Sequence, residues 1–140
     1  MEAFGAYSHA IVALALFAVI GQVLSALAAV SRSGAGFGPG ELPPADYGNR
    51  VFRVCRAYHN TVDNAGTFAA AVAAAILAGA APFWVNLFAS VALVARIAFV
   101  VVYIRGIGAP DLGPRSFIYV TNSAMTILLA LMAVVAGVTS

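Results

Sequence analysis

Residues 50–67 read R-V-F-R-V-C-R-A-Y-H-N-T-V-D-N-A-G-T, and the stretch that follows, Phe68–Ala81, is almost wholly apolar. Placed on a helix at about 100° per residue, Arg53, Arg56, Asn60, Asp63, Asn64 and Thr67 fall within an arc of roughly 100°. They form one polar stripe, about 21 Å long at the helical rise. The same helical pattern then runs on through A-A-A-V-A-A-A-I-L, so the stretch reads as a polar seam entering a membrane helix.

Composition supports that reading. The chain has 140 residues, 63% hydrophobic and 9% charged, with a mean hydropathy of +0.98; a soluble domain carries roughly 25% charged residues. Four apolar runs, near Tyr7–Val30, Phe52–Ala81, Phe83–Ile104 and Phe117–Val138, each suffice to cross about 30 Å of hydrocarbon. The fold expected is an all-α membrane protein: a four-transmembrane-helix bundle in one domain over residues 1–140, with helices at about 7–31, 47–81, 83–105 and 114–138. Ser25–Ser31 has the small residues of a signal-peptide cleavage site. An acidic Glu2, no preceding arginine and an over-long apolar run argue for a retained first helix instead. The net charge of +2 comes from seven arginines and no lysine, and most of these lie at helix ends or inside spans. Nucleic acid is therefore not an expected partner.

The first helix has few polar groups; Gln22 and Ser25, three apart, suit interhelical hydrogen bonds. After Arg32 the run S-G-A-G-F-G-P-G-E-L-P-P must be a loop. No strand precedes it and no helix follows directly, so it is not a phosphate-cradling loop. Asp46 or Asn49 is placed to cap the second helix, and Pro82 closes it, making the second and third helices an antiparallel hairpin. Arg96 and Tyr103, seven apart, share a face of the third helix. Arg96 lies deep enough to require a partner, and Asp63 is the expected one. A further glycine–proline loop spans 105–114. Beyond it Arg115, Tyr119, Asn122 and Thr126 repeat at helical spacing as a second stripe. Arg32, Arg50, Arg53, Arg105 and Arg115 cluster in and beside the loops after the first and third helices. By the positive-inside rule these loops are expected on the cytoplasmic side, with both termini opposite.

Four arginines (Arg53, Arg56, Arg96 and Arg115) with Asn60, Asp63, Tyr103, Ser116 and Tyr119 among them suit a small anionic ligand reaching partly into the bilayer. Guanidinium forks pair bidentately with carboxylates and also favour a thiol's charged form. Singly, such arginines more often snorkel to lipid phosphates. Converging with deep Asn60 and Asp63, they point to a site, because intramembrane ionisable groups are costly unless used. His59 and Cys55 lie off the stripe, and no metal-ligand or Ser-His-Asp spacing occurs.

Arg53-x-x-Arg56-Ala57-x-x-Asn60-x-x-Asp63, followed by Arg96-x6-Tyr103 and Arg115-Ser116, resembles the MAPEG family, the membrane-associated proteins in eicosanoid and glutathione metabolism. The resemblance covers all four helices in order. It implies a homotrimer with glutathione as co-substrate, held between subunits near the cytoplasmic face. Arg56, Asn60 and Asp63 would bind its backbone, helped by Arg96 and Tyr103, with Arg53 and Tyr119 as further contacts. Arg115 would stabilise the thiolate, with Ser116 beside it. Asp63 stands where the family usually has glutamate, and Leu24–Leu27 has no arginine where the eicosanoid enzymes carry one. The implied chemistry is thiolate attack on a lipophilic electrophile or lipid hydroperoxide. The other readings are a non-catalytic glutathione- or lipid-binding member of the same fold, and a small four-helix transporter. The implied location is a multi-pass protein of the inner or plasma membrane if the source is bacterial, with lipid as a further partner.

Overall fold

A computed structural model describes residues 2–108 and 113–139. A single turn, α1 (Glu2–Gly5), precedes four long helices: α2 (Ser8–Gly34), α3 (Arg50–Leu77), α4 (Pro82–Arg105) and α5 (Pro114–Thr139). Strands are absent among the described residues. The glycine–proline connection expected over 105–114 is seen only at its two ends, since 109–112 lie outside the described residues.

The helix ends follow from local chemistry. Asp46 Oδ1 accepts from the Gly48 amide at 2.8 Å, closing a turn, and Asn49 Oδ1 then accepts from the Val51 amide at 2.8 Å. Asn49 is thus the cap and Asp46 belongs to the turn before it. At its other end α3 stops at Leu77, where Gly79 takes φ 67° and the Ala80 amide reaches the Ala75 carbonyl at 3.0 Å. This glycine-closed end holds α3 within the expected span of 47–81. Pro82 opens α4 at a position where a missing amide costs nothing.

α3 and α4 touch each other and both of the other long helices, so α2 and α5 lie on opposite flanks of that central pair. Side chains at the contacts are small. Ala10, Ala13, Ala71, Ala75, Ala89, Ala92 and Ala133 are buried, with Phe17 and Phe68 stacked among them at 4.7 Å between centroids. Lipid tails are as apolar as leucine, so close backbone approach and dispersion, rather than a hydrophobic drive, hold such helices together. The outer surface is correspondingly greasy: Val12, Leu16 and Val23 on α2, Val94 and Ile97 on α4, and Ile127, Leu131 and Val135 on α5 are all exposed.

Three helices, α2, α4 and α5, are long and apolar enough to cross a membrane by themselves. The second of the four expected spans, α3, is not among them. Arg50, Arg53, Arg56, Asn60, Asp63 and Asn64 are spread from its start to past its middle, and only the final stretch from Phe68 to Leu77 is continuously apolar. It enters the bundle as a helix packed against its neighbours.

The two ends of the bundle differ. At one, Tyr7 Oη donates to the Ala80 carbonyl at 2.6 Å, while Asn86 accepts from the Ala10 amide at 2.9 Å and donates to the Ala6 carbonyl at 2.7 Å. These bonds tie the chain's start to the α3–α4 turn. The opposite end carries the arginines. Because alanine at the helix contacts sets their spacing, Ala89→Leu, at a fully buried position, is expected to destabilise the bundle by about 1–3 kcal/mol. Ala18→Leu on the exposed face of α2 should change little; thermal unfolding in detergent compares the two.

Candidate functional site

Arg96, midway along α4 and 1% exposed, organises the polar half of the bundle. Its Nη1 donates to Asn60 Oδ1 on α3 at 2.7 Å, and its Nη2 donates to Asn122 Oδ1 on α5. Asn122 in turn donates from Nδ2 to the Ala92 carbonyl at 3.1 Å. The guanidinium carbon lies 5.3 Å from the Phe17 ring centroid and 5.2 Å from that of Phe99, so two aromatic faces complete its surroundings. Its Nε has no hydrogen-bond partner among the described residues. The partner expected for Arg96 was Asp63; the structure places Asn60 and Asn122 there instead. Asp63 is exposed. A buried guanidinium is thus held by two neutral amides and two rings, with no carboxylate bonded to it among the described residues.

Asn60 also lines an open groove of about 390 Å³ at the arginine-rich end, with Tyr47, Arg56, Phe99, Tyr103, Arg115, Ser116, Tyr119 and Val120. Four segments contribute: the loop before α3, the first turns of α3, the last turns of α4 and the first of α5. Arg115 is 6% exposed. Its guanidinium carbon sits 5.0 Å from the Tyr47 ring and 5.1 Å from the Tyr103 ring. Phe99 packs on Tyr103 at 5.2 Å and lies 6.3 Å from Tyr119, which completes an aromatic collar. None of the described lining residues is acidic. The start of α5 presents its positive dipole end here as well, so the groove's field favours an anion.

Six of the nine expected site residues, Arg56, Asn60, Tyr103, Arg115, Ser116 and Tyr119, lie together on this groove. Arg96 sits directly behind it, reaching it through Asn60. Arg53 lies outside and works as a staple: Nε donates to the Ile104 carbonyl at 3.1 Å, and Nη1 to the carbonyls of Tyr47 at 2.6 Å and Gly48 at 2.9 Å. Its guanidinium packs under Gly106, where φ is 68° and a Cβ would meet it at 3.1 Å. Asp63 lies outside the groove too, on the same outward face of α3 as Arg56. Tyr47, Phe99 and Val120 were not expected. Tyr47 sits in a loop that has no periodicity to mark it. Asn122 stood on the second stripe, but spacing alone did not link it to Arg96.

Fold and groove together define a class: an all-α integral membrane protein with an arginine-lined groove at one end of its bundle. The chain belongs to the MAPEG family, whose model matches residues 10–135. A search of curated proteins gave no match.

Arg96→Lys tests the bridge. An ammonium is a single point on a flexible stem and does not span two amides as the planar fork does. The variant should lose about 1–3 kcal/mol of stability, the cost of a charge-assisted hydrogen bond lost in a buried place. Thermal unfolding should show this loss, whereas Arg105→Lys at the exposed helix end should unfold like the parent.

Proposed function

We propose that this chain is a glutathione-dependent membrane enzyme in which the thiolate attacks a lipophilic electrophile or a lipid hydroperoxide. The observation that carries the reading is the groove's composition: Arg56, Arg115, Asn60, Ser116 and three tyrosines line it, with no acid among the described lining residues. Glutathione brings two carboxylates and an ionisable thiol, and each gains from a guanidinium. Arg56, exposed at the rim, pairs with a carboxylate. Arg115, buried between the Tyr47 and Tyr103 rings, lowers the thiol's proton affinity, and the Ser116 hydroxyl donates to the sulfur. The thiol proton leaves to water.

Transfer then forms a carbon–sulfur bond as the electrophile's leaving group departs with its electron pair. With a hydroperoxide, a sulfur–oxygen bond forms as the oxygen–oxygen bond breaks. The alkoxide takes a proton to leave as the alcohol, and the thiol of a second glutathione attacks the sulfenic acid, forming the disulfide as the sulfur–oxygen bond breaks and water leaves. Val120 on the groove wall is 61% exposed and neighbouring Phe117 is 78% exposed, so an apolar substrate approaches from the lipid side. In this reading glutathione enters from the cytoplasmic side, where the positive-inside rule puts the arginine-rich end.

The same reading includes a homotrimer. Arg56, Asp63, Gly66, Thr67, Ala70, Ala73 and Ala74 form an exposed face on α3. Its polar members have no place against lipid, and its small ones suit close contact with another copy. Asp63 completes the glutathione site in that assembly, from beyond the groove of its own chain.

Titration of the detergent-purified protein with glutathione, followed by the ultraviolet thiolate difference band, tests the proposal. The wild type should give a saturable signal. Arg115→Ala should lose it while still binding glutathione, and Asn60→Ala should weaken binding by roughly tenfold. Saturable binding without any thiolate band in the wild type would mark a binder rather than an enzyme.

A further inference from the structure

We propose that Asn122 is a positioning residue for the groove, acting through Arg96 to fix the Asn60 side chain as a hydrogen-bond donor toward the ligand. This rests on the glutathione reading above. It adds a residue that touches no part of the groove and states which kind of ligand atom Asn60 meets.

An asparagine amide has an acceptor end and a donor end, and alone it presents either one. Arginine has only donors, so the atom of Asn60 that faces Arg96 at 2.7 Å must be the carbonyl oxygen. Among the described residues the Asn60 Nδ2 makes no hydrogen bond, and it is not among the buried unpaired atoms. It is therefore the end left to the groove. Asn122 is fixed in the same way: Oδ1 takes the Arg96 Nη2 proton, and Nδ2 is spent on the Ala92 carbonyl. Asn122 is 1% exposed and does not line the groove. With one fork of Arg96 held on α5, the other is aimed at α3, and flipping Asn60 would set an NH₂ group against a guanidinium. The consequence is selective: the groove atom opposite Asn60 must be an acceptor, as a carboxylate or peptide carbonyl is, and a donor there leaves two N–H groups face to face.

The experiment is a double-mutant cycle read by calorimetric glutathione binding, with Asn122→Leu, Asn60→Ala and the double variant in detergent. Thermal unfolding serves as the control for folding. Asn122→Leu keeps the branched shape and heavy-atom count and removes the acceptor; it should weaken binding by roughly tenfold. In the Asn60→Ala background the same change should cost nothing further, because the residue it acts through is gone. Asn122→Asp keeps an acceptor for Arg96 and should bind more tightly than Asn122→Leu, though short of wild type because its carboxylate meets the Ala92 carbonyl and offsets the Arg96 charge. It also serves if the leucine variant does not fold. Losses that multiply in the double variant, or a Asn122→Asp variant as weak as Asn122→Leu, would overturn the proposal.

A second readout needs no glutathione. Slow guanidinium rotation, seen as resolved Nη resonances of ¹⁵N-labelled Arg96, should be present in the wild type and averaged in Asn122→Leu. Averaged signals already in the wild type would refute the relay. Resolved signals in a protein that binds no glutathione would refute the functional reading and leave the relay standing.

Discussion

A guanidinium inside an apolar helix bundle is tolerated only where its charge finds partners, and Arg96 finds acceptors for both Nη atoms on two helices and a ring face on a third. Asn60 on α3 and Asn122 on α5 accept from it, while Phe17 on α2 and Phe99 on its own helix flank it. Bonds this directional fix rotation and register, which alanine contacts alone leave loosely set. Sliding α3 by one residue against α4 would strand the charge at a cost of several kcal/mol. Arg96 also divides the molecule: beyond it toward the α3–α4 turn lies the packed alanine and phenylalanine core, and on its other side lie the groove and the remaining arginines.

The partners of Arg96 are neutral, so its charge is not cancelled within the bonded cluster. With Arg56 and Arg115 on the groove itself, three cations act on a space lined by no acid among the described residues. Such a field favours an anion over a cation in the groove. Arg53, by contrast, is spent on backbone carbonyls and shapes the groove's rim through Tyr47. Four of the seven arginines therefore divide into one that bridges helices, Arg96, one that holds a loop, Arg53, and two that face the groove, Arg56 and Arg115.

Much of this was legible in the sequence. The four long helices, the polar stripe on α3 and the meeting of Arg56, Asn60, Tyr103, Arg115, Ser116 and Tyr119 at one end follow from periodicity, punctuation by glycine and proline, and the MAPEG resemblance. The partner of Arg96 did not follow, and the reason is geometric. A stripe gives the angles of residues on their own helix, but not the angle at which the neighbouring helix docks. The buried face of α3 runs through Ala57, Thr61, Phe68 and Ala75, with Asn60 at its edge and Asp63 about 60° further round. Charge pairing suggested the aspartate; packing of the alanine face brought the amide. Tyr47 was hidden for a different reason: a loop residue is placed by what holds the loop, here the turn at Asp46 and the Arg53 staple, and neither has a period. The ends of α3 moved inward from those expected because the Asp46 turn and Gly79 close the helix sooner than hydropathy alone implies.

The central claim is that the arginine-rich groove is where glutathione sits. The most direct measurement is an experimental structure of the protein in lipid nanodiscs with glutathione present. The account predicts ligand density against Arg56 and the Asn60 amide, with sulfur beside Arg115 and Ser116, and Asp63 of an adjoining copy closing the site. A groove empty of glutathione at saturating concentration, or glutathione bound elsewhere on the bundle, would contradict it.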